Sequence, residues 1–228
     1  MIRITGDTQI FHDITSAILV MQTEAYINVT NDGLKCSVPS LDRTAAVMLV
    51  APKTVFDNYE VSGEVGFGIK VDDLKKRLAR CGKKVGLEID QDVKIFSDGR
   101  RYGLALFKVE PFDKEIKVES QSSIKIPTDE LIRILGDVNI IADKVTIETT
   151  GDKVKFTGKG DLASDNYEYP VELAEVSGTA KASYLLSYLL PMSSAVKVDT
   201  ALIQFGSQSF LKMTMGNVIY MLGNVVKD

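Results

Sequence analysis

The sequence has few of the residues that most enzymes and metalloproteins use. It contains one histidine, His12, and two cysteines, Cys36 and Cys81, among 228 residues. Two cysteines do not form a disulfide framework, and neither they nor His12 have neighbours spaced as metal ligands or as a nucleophile and its base. The glycines of residues 63–68 lack the GxGxxG order of a phosphate-binding loop. We therefore predict a reduced, non-enzymatic protein that needs no metal and no cofactor.

Long apolar runs and an excess of positive charge are also missing. No run approaches the ~18 residues of a membrane span, so no membrane contact is expected. The first residues do not resemble a signal peptide. The formal net charge is −4, so any contact with nucleic acid would need a local basic patch on an acidic body. Hydrophobic residues make up 45% of the chain, enough for one large domain or two of about 110 residues each.

The first half of the chain contains two helix patterns and several strand patterns. Apolar residues recur at helical spacing after Asp7 or Thr8, either of which can cap the helix. Asn31-Asp32-Gly33 is a hairpin turn signal between two alternating segments. The predicted elements are a helix over residues 8–21, strands over 25–30, 34–38, 45–50 and 66–69, a helix over 71–81, and strands over 85–89, 93–97 and 102–109.

The second half repeats this order of elements. Pro127 opens a helix that carries acidic residues in its first turn and apolar residues as far as Val138. Strands are predicted over 144–150, 153–156, 168–173 and 179–183, a helix over 184–190, and strands over 201–206, 211–215 and 218–222. The repetition predicts an α+β fold of two similar domains, residues 1–108 and 124–228. They are joined by a polar connector of residues 109–123 that contains a proline.

On this duplicated layout, four stretches resemble the DNA sliding clamps of archaea and eukaryotes, the proliferating cell nuclear antigen (PCNA) family. These stretches are Leu41-Asp42-Arg43, residues 56–61 with 67–78, residues 126–135, and residues 205–208 with 220–223. The resemblance covers essentially the whole chain. It implies two helices per domain packed on antiparallel sheets, and subunits that close into a ring, either a homotrimer or a heterotrimer.

The resemblance also implies a function and a set of partners. The ring would encircle duplex DNA without reading its sequence and act as a processivity factor for DNA polymerase. A clamp loader, flap endonuclease and ligase would dock through PIP-box peptides, as the polymerase would. The protein would lie in the cytoplasm, associated with the nucleoid, if it is archaeal-like, and in the nucleus if it is eukaryotic.

The helix that begins at Val71, taken as far as Lys84, is the best candidate for a surface that faces DNA. Its apolar residues form one stripe, and its basic residues lie opposite and beside that stripe. The predicted DNA-facing residues are Lys75, Lys76, Arg77, Arg80, Lys83 and Lys84, with Arg133 from the third helix. The resemblance to the family supports Lys76 most directly.

The basic helix has a simpler interpretation as a solvated face whose cations suit the helix dipole. The third helix keeps Arg133 but has Gly136 and Ile140 where the family has basic residues, and the fourth helix carries no charge. This leaves open a divergent clamp-like scaffold, or one subunit of a hetero-oligomeric ring with weak DNA contact of its own.

Two further surfaces are predicted from the resemblance. Client peptides would enter a pocket formed by Leu41, Val47, Phe112, Ile116, Phe210, Met221, Leu222 and Gly223. Neighbouring subunits would pair residues 102–109 with residues 179–183, because exposed sheet edges accept another strand. The predicted interface residues are Tyr102, Leu104, Leu106, Lys108, Thr179 and Lys181.

Overall fold

The computed structural model describes residues 2–61, 63–114, 116–160 and 166–225. The chain divides into two compact units, Met1–Lys114 and Glu115–Asp228. Both units combine helices with antiparallel sheets, so the predicted α+β fold class is confirmed. In the part of the chain that the structure describes, no helix has both the length and the apolar character to cross a membrane.

The first unit contains two α-helices and nine strands within its described residues. The elements are β1 Ile2–Asp7, α1 Thr8–Leu19, β2 Glu24–Thr30, β3 Gly33–Pro39, β4 Ala45–Pro52, β5 Asn58–Glu60, β6 Val65–Lys70, α2 Val71–Leu78, β7 Lys84–Ile89, β8 Asp92–Ser97 and β9 Arg100–Ala105. A short 3-10 helix, Lys53–Val55, lies between β4 and β5. The strands form two antiparallel groups in the orders β5-β1-β7-β8-β9 and β4-β3-β2-β6.

The second unit contains two α-helices and eight strands within its described residues. The elements are β10 Ser122–Pro127, α3 Thr128–Asn139, β11 Lys144–Thr150, β12 Lys153–Lys159, β13 Asn166–Val171, β14 Glu175–Leu185, α4 Leu186–Ser194, β15 Thr200–Phe205, β16 Leu211–Met215 and β17 Val218–Leu222. Its strands follow the antiparallel order β13-β12-β11-β14-β10-β15-β16-β17.

The long strand β14 corresponds to two strands of the first unit. Its first residues pair with β10, as β5 pairs with β1, and the remainder pairs with β11, as β6 pairs with β2. Gly178 lies where the partner changes, at φ +88°, and a Cβ there would stand 2.1 Å from the Gln121 carbonyl oxygen. Only glycine fits this position, because it has no side chain to clash or to disfavour positive φ.

Each unit buries its own apolar core, and its two helices pack against each other. In the first unit Asp7, one of the two predicted cap residues, caps α1 by accepting a hydrogen bond from the Gln9 backbone N–H at 2.9 Å. This contact satisfies one of the free N–H groups at the helix start. The core includes the fully buried Ile18 and Leu78 in the first unit and Phe156 in the second.

Several predicted boundaries are wrong. The second helix ends at Leu78, the fourth begins at Leu186, and β9 stops at Ala105. Strands β1, β5 and β10 were not predicted. Ser122 and Ser123, assigned to the connector, are the first residues of β10. Ser122 is buried there, and its hydroxyl is satisfied by donating to the Ser177 carbonyl oxygen at 2.9 Å.

Candidate nucleic-acid interface and sheet edges

The basic segment after Val71 is only partly helical. Val71, Leu74 and Leu78 are buried and fix the inner face of α2, and two acidic residues occupy its first turn. After Leu78 the backbone tightens, because the Arg80 N–H bonds to the Arg77 carbonyl and the Cys81 N–H to that of Leu78. The predicted helical placement of Lys83 and Lys84 is therefore wrong.

A contact from β8 explains why the helix cannot continue. The Ser97 hydroxyl accepts from the Gly82 N–H at 2.9 Å and donates to the Lys84 carbonyl at 2.7 Å. Lys84 is the first residue of β7, and its ammonium lies 2.6 Å from an Asp57 carboxylate oxygen. That hydrogen bond raises the pKa of Lys84. Lys84, one of the predicted DNA-facing cations, therefore already has an acidic partner in Asp57.

Lys76 lies on the exposed side of α2, but it is not a free charge. Its ammonium lies 3.0 Å from Asp72 and 3.3 Å from Asp73, at i,i+4 and i,i+3 spacing. The hydrogen bond to Asp72 raises the pKa of Lys76 and lowers that of Asp72. A phosphate would therefore have to compete with two carboxylates for this side chain.

Arg77 connects α2 to β9, the strand at one end of the sheet β5-β1-β7-β8-β9. Its Nε–H donates to the Gly103 carbonyl of β9 at 3.1 Å, and Nη1 donates to the Asp73 carbonyl at 2.8 Å. The side chain is only 30% exposed. These contacts hold the guanidinium against the protein.

Lys75, Arg80 and Lys83 differ from these three cations. Arg80 and Lys83 are exposed and Lys75 is half-buried, and none forms an ion pair with the residues that the structure describes. Because free surface cations can exchange their water for phosphate oxygens, these three are the best-placed of the predicted DNA-facing residues in the first unit.

Arg133, the predicted contact from the third helix, is held by two carboxylates and a ring. Its guanidinium donates to both Glu130 oxygens, at 2.7 and 3.0 Å, and to Asp137 at 3.3 Å. Its Cζ lies 4.8 Å from the centre of the Tyr169 ring on β13. The hydrogen bonds with Glu130 raise the pKa of Arg133 and lower that of Glu130.

The sheet edges differ from the prediction. Strand β9 is the last strand of its sheet, and there Tyr102 is half-buried and Leu104 buried. Leu106 and Lys108 lie beyond β9, on either side of Phe107, whose N–H bonds to the Gly68 carbonyl of β6.

Thr179 and Lys181 do not lie at an edge. They belong to β14, which lies between β11 and β10. On the side of β14 away from β11, the Lys181 N–H donates to Ser207 Oγ and the Ser183 N–H to Asn224 Oδ1. The Val225 N–H donates to the Ser183 carbonyl at 2.8 Å. The predicted edge over residues 179–183 is therefore wrong, because the residues after β17 cover it.

Strand β13 lies at one end of the second unit's sheet. It was not among the interface strands predicted from the sequence. Its exposed residues alternate with the half-buried Tyr167 and Tyr169, and β12 is its one neighbour among the described strands. Pro170 was the available signal, because proline within a strand is tolerated chiefly at a sheet edge.

Leu41 is the most clearly presented of the predicted pocket residues. Its side chain is 85% exposed. The flanking loop is fixed by the Asp42 carboxylate, which accepts from the Ser40 hydroxyl at 2.6 Å and from the Thr44 N–H at 3.0 Å. The backbone of Ser40 and Ala45 closes the same loop at 2.8 Å. The loop therefore holds an apolar side chain in solvent. Because the loop is already ordered, it would lose little conformational entropy if a partner bound there.

The other predicted pocket residues fall into two groups. Val47, Met221 and Leu222 are at most 3% exposed, so their side chains offer almost no surface to a client. Alternation along β4 turns Val47 inward and leaves the next residue, Met48, half-buried on the opposite face. The remaining residues, Phe112, Ile116, Phe210 and Gly223, are half-buried.

Among the described residues no group of three or more His, Cys, Asp and Glu side chains is placed to hold a metal ion. A surface depression of about 650 Å³ lies on the first unit's sheet and includes Arg3, Lys84, Arg100 and Arg101. Each of these cations already has a partner: Glu88, Asp57, the Arg80 carbonyl and the Phe96 ring respectively.

Comparison with known proteins follows the whole length of the chain. No family model matches. The chain is 27% identical to the DNA polymerase sliding clamp of Nitrosopumilus maritimus, over 88% of this chain and 86% of the relative. It is 25% identical to that of Methanococcus vannielii, over 93% of this chain and 92% of the relative.

Solved structures show the same fold. The structure of A. fulgidus PCNA with the C-terminal region of FEN-1 has a TM-score of 0.93 at 20% identity, covering 100% of both chains. The PCNA2–PCNA3 complex of Sulfolobus tokodaii has a TM-score of 0.86 at 22% identity, covering 97% of this chain and 98% of that one. The chain is thus a homologue of the archaeal DNA polymerase sliding clamps and has the fold of PCNA.

Proposed function

We propose that this chain is one subunit of a sliding clamp that encircles duplex DNA and tethers polymerase and other enzymes to it, without catalysing a reaction itself. The observation that carries this proposal is the match of fold and sequence to sliding clamps across both units. The duplicated topology supports it, because a repeated unit is suited to building a pseudo-symmetric ring.

Ring assembly would use the last strands of two sheets, β9 of one copy and β13 of the next. This replaces the predicted pairing with residues 179–183. Each strand has one hydrogen-bonded neighbour in its sheet and can accept another.

DNA contact would be weak and independent of sequence. Lys75, Arg80 and Lys83 would meet phosphates, and Lys76 would do so only by leaving its two carboxylates. Such contacts exchange readily and read no bases, which suits a ring that must slide.

Clients would dock at a surface that includes Leu41. We add Met48 as a candidate and withdraw Val47, because Val47 is buried and Met48 is partly exposed. One neighbour in fold was solved with the C-terminal region of FEN-1, which supports peptide docking here by analogy of fold. The partners we propose are polymerase, clamp loader, flap endonuclease and ligase, each through a PIP-box peptide.

The test is polymerase processivity on a primed circular template. The assembled protein should lengthen the products and stay on circular DNA, and should slide off once the circle is cut. Sedimentation should show a closed oligomer. A protein that remains monomeric at micromolar concentration and leaves product length unchanged would contradict the proposal for a self-sufficient ring.

A second candidate is one subunit of a hetero-oligomeric ring. The observation that favours it is the pairing of Lys76, Lys84 and Arg133 with acidic residues of the same chain, which leaves few free cations to hold DNA. Native mass spectrometry with candidate partner subunits separates the two, because a hetero-ring shows mixed masses and the chain alone does not close.

A further inference from the structure

Arg133 has contacts that a role on DNA does not explain. It reaches from α3 to β13, where its guanidinium lies over the Tyr169 ring at 4.8 Å. Beside it, the Tyr167 hydroxyl donates to Asp137 at 3.3 Å, and the two tyrosine rings stack 6.4 Å apart. Two residues of α3 therefore hold two successive inward-facing residues of one strand.

Strand β13 depends on such contacts more than an interior strand would. It has six residues and, among the residues that the structure describes, pairs with β12 on one side only. Half of its backbone groups therefore have no partner among the described strands of the sheet. Val171 is its one buried residue, and Tyr167 and Tyr169 are half-buried. Little apolar burial is left to fix the strand, and the α3 side chains supply further contacts.

The geometry of Arg133 suits fastening rather than exchange with phosphate. Glu130 engages the guanidinium at two points, and Asp137 engages the third nitrogen. Both hold the plane of the guanidinium in place over the ring. A planar, bidentate and stacked group of this kind cannot be replaced by an ammonium.

We infer that Arg133 is a positioning residue for self-assembly: through Tyr169 it holds β13 in the extended, exposed form that a second copy of this chain must pair with. This inference rests on the proposed ring. A strand that is already ordered loses less conformational entropy when another strand pairs with it, so the fastening strengthens assembly without contacting the neighbour.

Two substitutions at one position separate this role from DNA contact. Arg133→Gln removes the charge, and Arg133→Lys keeps it but loses the fork and the stacked plane. A phosphate contact tolerates lysine, whereas fastening does not. Tyr169→Leu removes the ring without changing the charge.

Lys125→Gln is the matched control. Lys125 lies on β10 of the same unit, and its side chain is 49% exposed, against 47% for Arg133. It pairs with Glu175 at 2.9 Å and makes no contact with β13 among the described contacts. The control therefore loses the same charge from an equally exposed cation, paired with a more exposed carboxylate, while leaving β13 alone.

Hydrogen exchange of the β13 amides and the dissociation constant of the oligomer are the readouts. Arg133→Lys, Arg133→Gln and Tyr169→Leu should each speed exchange in β13 roughly tenfold and raise the dissociation constant roughly three- to tenfold, with little change in melting temperature. Lys125→Gln should match the wild type in both, and DNA retention should be unchanged once every variant is assembled.

Wild-type exchange and assembly in Arg133→Lys would overturn the inference, as would a loss of DNA retention in Arg133→Gln that Arg133→Lys restores. Failure of the proposed ring looks different. In that case the wild type does not assemble at all, and exchange in β13 of the monomer still shows whether Arg133 fastens the strand.

Discussion

The arrangement of charges after Val71 predicts that the residues beyond the helix hold DNA more strongly than the helix itself. Arg80 and Lys83 are exposed and form no ion pair with the described residues, whereas Lys76 lies within 3.3 Å of both Asp72 and Asp73. Replacing Arg80 and Lys83 together with glutamine should therefore weaken binding more than twice as much as Lys76→Gln.

The magnitude follows from counterion release. Each cation that neutralises a phosphate contributes ~0.9 to the slope of log affinity against log salt. Loss of Arg80 and Lys83 should lower that slope by about 1.8 per subunit. Between ~50 and ~200 mM salt, the affinity of the wild type should therefore fall roughly twelvefold more, per subunit, than the affinity of the double variant. Lys76→Gln should change the slope by less than about 0.5, because Asp72 and Asp73 offset its charge.

The assay is fluorescence anisotropy of a short labelled duplex, titrated with assembled protein at several salt concentrations. Lys94→Gln is the control for net charge, because Lys94 is exposed on β8 and lies 3.8 Å from Asp92. Sedimentation confirms that every variant is assembled. If Lys76→Gln lowers the slope as much as the double substitution does, the reasoning from ion pairs is refuted.

Three further predictions concern the second unit and the client surface. Leu41→Ala should leave the melting temperature unchanged, because the side chain is 85% exposed, but should weaken a PIP-box peptide about tenfold in calorimetry; equal affinity would remove Leu41 from the docking surface. Asn224→Ala removes the bonds to the Ser183 N–H and the Ser207 carbonyl and should lower the free energy of unfolding in urea by about 1–2 kcal/mol; an unchanged midpoint would contradict the role of the covering segment. The pKa of Glu130 is lowered from 4.5 by its bond to Arg133, so its contribution to stability is complete above about pH 4.5 and is lost as the pH falls through the lowered value. Exchange protection of β13 should follow that loss, and protection that decays above pH 5 would point to another group.

The elements with clear periodicity could be predicted from the sequence. The first helix and its Asp7 cap, the hairpin around Asp32 and the order of elements in both halves follow from local pattern and turn chemistry. These signals were enough to predict the two-unit fold. They depend on residues close together in sequence, which is why sequence reasoning captures them.

The wrong predictions depend on contacts that are distant in sequence. Lys83 and Lys84 favour a helix by composition, but Ser97, more than ten residues away, draws this backbone into a strand. The local sequence places Ser122 in a polar connector, yet its hydroxyl is satisfied inside the sheet by Ser177 and Thr149. The sequence shows that a residue is serine but does not show whether its hydroxyl is buried and hydrogen-bonded or exposed.

The candidate site was predictable in type but not in detail. Sequence identifies which residues are cations, but it cannot show that Arg77 and Arg133 are turned onto β9 and β13. Likewise, alternation could have separated Val47 from Met48 only if the facing direction of β4 had been known. The orientation of side chains is set by packing, and a single sequence does not contain it explicitly.

In the proposed ring, the placement of the two joining strands, β9 and β13, on different units has an evolutionary consequence. A duplicated gene could change one of these strands while the other kept its old specificity, because the two strands lie in separate compact units. A few substitutions in β13 alone would stop a copy from pairing with its own kind and still let its β9 join the parent chain. Obligate mixtures of subunits can therefore arise from a self-pairing ancestor in single steps, each of which leaves one working joint.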